Sequence, residues 1–219
     1  MAYRSLFMNK YLAEVLGTFA IVFCGTGAII INEETSGLIS HAGVAATFGL
    51  IVAAMIYILG DTSGAHFNPA VTLAFWAEKK FRGKEILPYL LSQSVGACLA
   101  SFILHFLVPT NQHLGATLPG GPPLQSFLLE ILLSFLLMLS ILKVARGSKE
   151  KGMFAGLVIG AVIFLEALLA GPFCGASMNP ARSLGPALAS GQLQHLWIYL
   201  TAPFVGTLCA VLIWKVSKH

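Results

Sequence analysis

Charged side chains are scarce in this chain. Lysine and arginine number 13 and the acidic residues nine, so only 10% of the 219 residues are charged, against about 25% in soluble domains. So little charge cannot cover a water-facing surface, which excludes most soluble enzymes. The formal net charge of +4 is too small for a polyanion-binding stripe, and no nucleic-acid partner is expected. The histidines and cysteines lack metal-ligand spacing, so no metal or other cofactor is predicted.

Apolar residues are abundant instead. They make up 57% of the chain, and the mean hydropathy is +0.82. A membrane-spanning helix needs about 20 mostly apolar residues. Six runs meet this requirement: 11–31, 39–59, 89–108, 127–145, 154–169 and 196–214. The amino-terminal segment lacks the apolar core and cleavage site of a signal peptide, so we expect the first run to remain in the membrane.

Basic residues predict the orientation of these spans. Twelve of the 13 lie at the two termini, between the second and third runs, or between the fourth and fifth. Cytoplasmic segments carry such an excess of lysine and arginine, so both termini are predicted to be cytoplasmic. The twelve are Arg4, Lys10, Lys79, Lys80, Arg82, Lys84, Lys143, Arg146, Lys149, Lys151, Lys215 and Lys218.

The chain is internally duplicated. Residues 64–73 match residues 175–184 at an offset of 111, and the segment that begins at Ala13 matches the one that begins at Leu129 at an offset of 116. Each half contains three runs, and an odd number inverts the second half relative to the first. We therefore predict one channel domain (1–219) of two inverted repeats, about 9–108 and 124–216, with a shared site near the membrane midplane.

An Asn-Pro-Ala motif opens a short apolar segment in each half. Asparagine is a good helix N-cap and proline suits the first helical turn, so helices are predicted over 69–76 and 180–188. Helices of this length extend about 12 to 14 Å, roughly half a bilayer. Irregular backbone at that depth needs protein or water to satisfy it. The two segments therefore predict a water-filled cavity between the halves, and two such motifs in inverted halves make plain caps an improbable explanation.

The motifs SGAHFNPAVT (63–72) and GASMNPARS (175–183), together with Glu14 and Glu130, resemble those of the aquaporins in the major intrinsic protein family. The resemblance covers about residues 12–214. It implies an all-α membrane protein with six transmembrane helices arranged as a right-handed bundle in an inverted 3+3 repeat. It also implies two re-entrant half-helices, a pore in every subunit and a homotetramer in the lipid bilayer.

The motif residues would form the pore. If the Asn68 and Asn179 oxygens cap backbone amides, their NH₂ groups stay free to donate into the lumen, where the positive helix ends oppose protons and cations. The resemblance makes Glu14 and Glu130 acceptors for the loop backbone. The expected pore residues comprise the motifs Asn68, Pro69, Ala70, Asn179, Pro180 and Ala181, and the lining residues Gly64, Ala65, His66, Gly175 and Ser177.

Four further residues match the family's selectivity filter: Phe48, Ala167, Ala176 and Arg182. Strict water channels of the family usually have a histidine where Ala167 stands, so a wider constriction is expected. Water and small uncharged solutes such as glycerol, urea, boric acid or arsenous acid would then pass. Glycerol channels usually have aspartate where Ser183 stands, so the solute stays open, and a strict water-only channel is an alternative.

Three further polar side chains lie in or near the motif and filter positions. Glu166 is expected to face a neighbouring helix and to be satisfied by loop backbone rather than to act as a pH gate. His66 is expected to be a neutral lining residue, and Cys174, placed in the re-entrant loop, a target for mercurials. A secondary transporter with inverted repeats and a closed structural membrane protein remain alternatives. An enzyme is not expected, because no nucleophile and base are placed together.

Overall fold

A computed structural model describes residues 9–145 and 153–217 of the chain. Within these residues there are eight α-helices and no strand. Six are long and apolar enough to cross a membrane, and two are short. The helices are α1 Lys10–Glu34, α2 Ser40–Ser63, α3 Pro69–Ala77, α4 Ile86–Leu107, α5 Pro123–Ala145, α6 Ala155–Cys174, α7 Pro180–Ser190 and α8 Leu196–Val216. A 3₁₀ turn, Gly83–Glu85, leads into α4. The predicted fold of six long helices and two half-helices is confirmed.

The fifth predicted span differs most from its structural counterpart. We expected it to end at residue 169, but α6 continues to Cys174 and contains Pro172. It ends at Gly175, whose φ of 78° is accessible to glycine at no steric cost. Of the basic residues that predict the orientation, Arg4, Arg146, Lys149, Lys151 and Lys218 lie outside the described residues.

Glycines bring the long helices into backbone contact. A Cβ built at Gly49 of α2 would lie 2.5 Å from the carbonyl oxygen of Gly160 in α6, and one built at Gly160 would lie 2.5 Å from that of Gly49. Gly96 of α4 meets the Val15 carbonyl of α1 in the same way. Small residues at such contacts are typical of membrane helices, because they let the helix axes approach closely. The helices are therefore held closely around the two short segments.

Candidate functional site

The two short helices begin at the same place in the interior. Asn68 caps α3, with its side-chain oxygen accepting from the Ala70 amide at 2.9 Å. Asn179 caps α7, with its oxygen accepting from the Ala181 and Arg182 amides at 3.0 and 3.3 Å. Pro69 and Pro180 occupy the first helical positions, where the missing N–H costs nothing. Both helices therefore point their amide-rich ends towards one another.

The asparagine NH₂ groups tie the two halves together. Nδ2 of Asn68 donates to the Met178 carbonyl at 2.8 Å, and Nδ2 of Asn179 donates to the Phe67 carbonyl at 2.8 Å. Each NH₂ group therefore uses one of its hydrogens across the interface, a contact that the sequence did not predict. A primary amide carries two donor hydrogens, so each asparagine keeps one more.

Both loops before the asparagines adopt unfavourable backbone conformations. Ala65 and Phe67 have φ values of 50° and 48°, and Ala176 and Met178 have φ values of 42° and 54°. Non-glycine residues in sparsely populated regions cost about 1 to 3 kcal/mol each, and they persist only where the surroundings fix them. Each loop consequently needs strong anchors.

Two buried carboxylates supply these anchors. Glu14 accepts from the backbone amides of His66 and Phe67 at 3.0 and 2.7 Å, and also from the side chains of Ser63 and Gln93 at 2.7 Å each. Glu130 accepts from the amides of Ser177 and Met178 at 2.7 Å each. Both glutamates are fully buried. The structure therefore places them behind the loops, where they fix the loop backbone.

A cavity of about 170 Å³ lies between the halves. Of the residues predicted for the pore, ten line it: Phe48, Gly64, Ala65, His66, Asn68, Ala167, Ala176, Ser177, Asn179 and Arg182. The motif residues Pro69, Ala70, Pro180 and Ala181, and likewise Gly175, lie outside its lining. The remaining lining side chains are apolar: Ile21, Val52, Ile56, Phe67, Val71, Phe75, Leu137, Ile141, Ala155, Ile159, Ile163 and Met178.

Arg182 is fixed at the wall of this cavity. It is 4% exposed, and its Nη1 donates to the Gly115 carbonyl at 2.8 Å. Its guanidinium carbon lies 4.9 Å from the centre of the Phe48 ring, within the range of a cation–π contact. A cation held in this way presents a fixed donor and a positive charge to the lumen.

The family model of the major intrinsic proteins matches residues 1–214. The chain belongs to the major intrinsic protein family. Aquaporin NIP1-1 of Zea mays is 46% identical to it over 201 residues, which cover 91% of this chain and 71% of the relative. Nodulin-26 of Glycine max is 38% identical over 214 residues, which cover 97% and 79%. The solved structure of the aquaglyceroporin from Plasmodium falciparum has a TM-score of 0.85 at 27% identity and covers 94% of each chain.

The predicted family is thereby confirmed. Major intrinsic proteins are channels rather than enzymes, and the six long apolar helices make this member an integral, multi-pass membrane protein. Within the described residues, no group of three histidine, cysteine, aspartate or glutamate side chains could hold a metal ion.

Two hydroxyl side chains of this major intrinsic protein, Thr72 and Ser183, were not predicted from the sequence to support the loops. Thr72 lies 3.1 Å from Nδ1 of His66, and Ser183 lies 2.5 Å from the Ser177 hydroxyl. Each is four residues beyond a motif asparagine, so the 111-residue offset already pairs them. Another side chain also donates to each one, Gln93 to Thr72 at 2.9 Å and Thr117 to Ser183 at 2.6 Å. They tie the loops of this channel to α4 and to the segment that precedes α5.

His66 lies in an aromatic cluster at one end of the cavity. Its ring centre is 4.8 Å from those of Phe75 and Phe81 and 5.1 Å from that of Tyr89. The imidazole ring therefore packs against these aromatic rings and also lines the lumen.

Cys174 does not lie where the sequence suggested. It is the last residue of α6 rather than part of the loop, it is fully buried, and it does not line the cavity. A mercurial bound there would not stand in the lumen.

The expectation for Glu166 is wrong in one respect. Glu166 is buried on α6 and does not line the cavity, as a side chain that faces a neighbouring helix should be. However, neither of its carboxylate oxygens has a hydrogen-bond partner in the described ranges, so loop backbone does not satisfy it. Burying a polar group without a partner costs free energy, so we expect this glutamate to destabilise the fold.

Replacing Glu166 with leucine is therefore expected to raise the thermal unfolding midpoint of the purified protein by about 2 to 8 °C. Leucine is close in volume and has no polar atoms to satisfy. Water permeability in proteoliposomes should not change, because the side chain lies outside the lumen lining. A lower midpoint, or an altered permeability, would show that the carboxylate stabilises or regulates the channel.

Proposed function

We propose that this protein conducts water and small uncharged solutes passively through the central cavity and excludes protons and ions. The division of the cavity lining into polar and apolar parts carries the proposal. The polar part consists of the loop backbone, the Asn68 and Asn179 amides, Arg182, His66 and Ser177, while the rest is mostly aliphatic or aromatic. A small polyol or a neutral acid can place its hydroxyls on the polar part and its apolar surface on the other.

We further propose that Phe48, Ala167, Ala176 and Arg182 form the selectivity filter. Ala167 has only a methyl group, so it leaves room that a larger side chain would fill. Phe48 supplies an apolar wall, and Arg182 donates hydrogen bonds to the passing solute. This chain shares the fold of the aquaglyceroporin from Plasmodium falciparum. This likeness supports the passage of solutes larger than water.

Exclusion of protons and ions follows from the same groups. Two helix N-termini, each equivalent to about half an elementary charge, face the middle of the lumen, and the Arg182 guanidinium adds a full positive charge. Cations and hydronium are repelled. A water molecule that accepts from an asparagine NH₂ directs its own hydrogens outward, and so it cannot relay a proton along the file.

The assembly and orientation follow the family resemblance and the basic residues. We propose a homotetramer of single-domain channels, each of two inverted repeats, with both termini in the cytoplasm. Covalent cross-linking of the purified protein tests the tetramer, and accessibility of tags at each terminus tests the orientation.

Stopped-flow light scattering on proteoliposomes tests the transport activity. We expect linear, unsaturable fluxes of water and of at least one of glycerol, urea and boric acid, with a low activation energy. Saturable, ion-dependent flux would instead indicate a secondary transporter. Osmotic shrinkage no faster than that of empty vesicles would indicate a closed structural protein, and water flux alone a strict water channel.

Replacing Arg182 with valine is expected to increase the leak of small ions through the reconstituted protein. The substitution removes the positive charge at the filter and the hydrogen bond to the Gly115 carbonyl. Dissipation of an imposed ion gradient in proteoliposomes measures the effect, with wild-type protein at the same density as the control. An unchanged leak would contradict the role of Arg182 in ion exclusion.

A further inference from the structure

Gly25 of α1 lies directly behind the ring of Phe48. A Cβ built at Gly25 would lie within 2.5 Å of three ring carbons of Phe48, Cε1, Cζ and Cδ1. Real Cβ atoms essentially never come closer than 3.0 Å to another residue. The ring therefore rests on bare backbone, and any larger residue at position 25 would displace it.

We propose that Gly25 is the residue that positions Phe48 and thereby sets the aperture of the filter. This inference rests on the proposed function, because the aperture concerns the filter assigned above. Gly25 does not line the cavity and touches no solute, so it acts only through the aromatic ring.

The helix that carries Phe48 has no room to move back. Gly49, the next residue of α2, is in backbone contact with Gly160 of α6, so α2 is held between α1 and α6. The Arg182 guanidinium carbon lies 4.9 Å from the centre of the same ring. An added methyl group on α1 must consequently displace the ring itself, and we expect the displaced ring to narrow the space beside Arg182.

The neighbouring residue of α1 supports the opposite side of the filter. A Cβ built at Gly115 would lie 2.7 Å from the Cβ of Thr26, so Gly115 rests on Thr26. The carbonyl of Gly115 accepts the hydrogen bond from Arg182. Two successive residues of α1 thus position Phe48 and Arg182, although neither is itself a filter residue.

The consequence is a filter whose width depends on a contact outside the lumen. Water is smaller than glycerol, so a shift of the ring by part of a methyl diameter obstructs the solute more than it obstructs water. Gly25 is therefore a specificity-determining position for uncharged solutes of glycerol size.

Substitution of Gly25 with alanine tests the proposal. We expect Gly25→Ala to lower the glycerol permeability of proteoliposomes about tenfold and to lower water permeability less. Gly27→Ala is the matched control on the same helix, because a Cβ there meets only Leu104, at an ordinary 3.6 Å. Gly27→Ala should keep the wild-type ratio of glycerol to water permeability.

A variant that lacks the ring separates displacement of Phe48 from general damage to the fold. In a Phe48→Val background no ring is present to be displaced, so adding Gly25→Ala should change neither permeability. A persistent loss in that background, an unchanged ratio in Gly25→Ala alone, or the same loss in Gly27→Ala would overturn the proposal. If Gly25→Ala does not fold, recovery of folded protein in the double variant supports the contact, and failure of both contradicts it.

Permeability measurements on the wild-type protein separate a failure of the Gly25 proposal from a failure of the proposed function. If wild-type proteoliposomes pass water but no glycerol, urea or boric acid, the solute-channel function is wrong. The Gly25 proposal is then judged on water permeability alone, which Gly25→Ala should lower and the Phe48→Val background should protect.

Discussion

Replacing Glu14 with leucine is expected to remove most of the stability of the fold. The substitution deletes an acceptor of four hydrogen bonds, and it leaves the buried Phe67 amide and the half-buried His66 amide without this partner. Each buried donor left without a partner costs about 1 to 3 kcal/mol, and four donors lose the carboxylate at once, against a typical stability of about 5 to 15 kcal/mol. The strained backbone at Ala65 and Phe67 would lose its anchor as well. The measurement is the unfolding midpoint in detergent, together with the yield of monodisperse protein.

Glu130 provides a matched comparison. It occupies the corresponding place in the second half and accepts two backbone hydrogen bonds, without the hydroxyl and amide side-chain donors that Glu14 has in Ser63 and Gln93, so Glu130→Leu should lower the midpoint less than Glu14→Leu. Glu14→Gln keeps one acceptor oxygen and should fall between wild type and Glu14→Leu. Equal midpoints for the two leucine variants would contradict the view that side-chain donors strengthen the first anchor.

The fold could be predicted from the sequence because its signals are local. Long apolar runs specify the six spans, and Asn-Pro-Ala supplies both a capping side chain and a proline suited to the first turn. The repeat then requires the two half-helices to meet. The two halves nevertheless differ at individual positions. Residue 63 is a serine that donates to Glu14. Its counterpart at the same offset is Cys174, which donates to the Ala170 carbonyl at 3.5 Å. The unequal anchoring of the two loops follows from such exchanges.

The hydrogen-bond partners of the buried polar side chains could not be predicted from the sequence, because they depend on distances between helices. The sequence contains both motif asparagines, yet nothing in it says that each NH₂ group reaches the opposite loop. The sequence likewise does not show that the Glu166 carboxylate has no hydrogen-bond partner among the described residues. Gly25 is one of 22 glycines, and only the position of the Phe48 ring distinguishes it from Gly27.

Replacing Ala167 with histidine is expected to lower glycerol permeability by about tenfold or more while water permeability falls much less. Ala167 lines the cavity together with Phe48 and Arg182. An imidazole there occupies space that a polyol needs, but it also offers a hydrogen-bonding group to water. The measurement is the ratio of glycerol to water permeability in the same proteoliposome preparation.

Leucine at the same position separates size from polarity. Ala167→Leu adds comparable bulk but no hydrogen-bonding group, so glycerol permeability should fall as it does in Ala167→His, and water permeability should fall further. Both losses follow if residue 167 stands at the narrowest part of the path. An equal loss of water and glycerol in Ala167→His would mean that the side chain obstructs the lumen without selecting, and that the constriction that distinguishes solutes lies elsewhere along it.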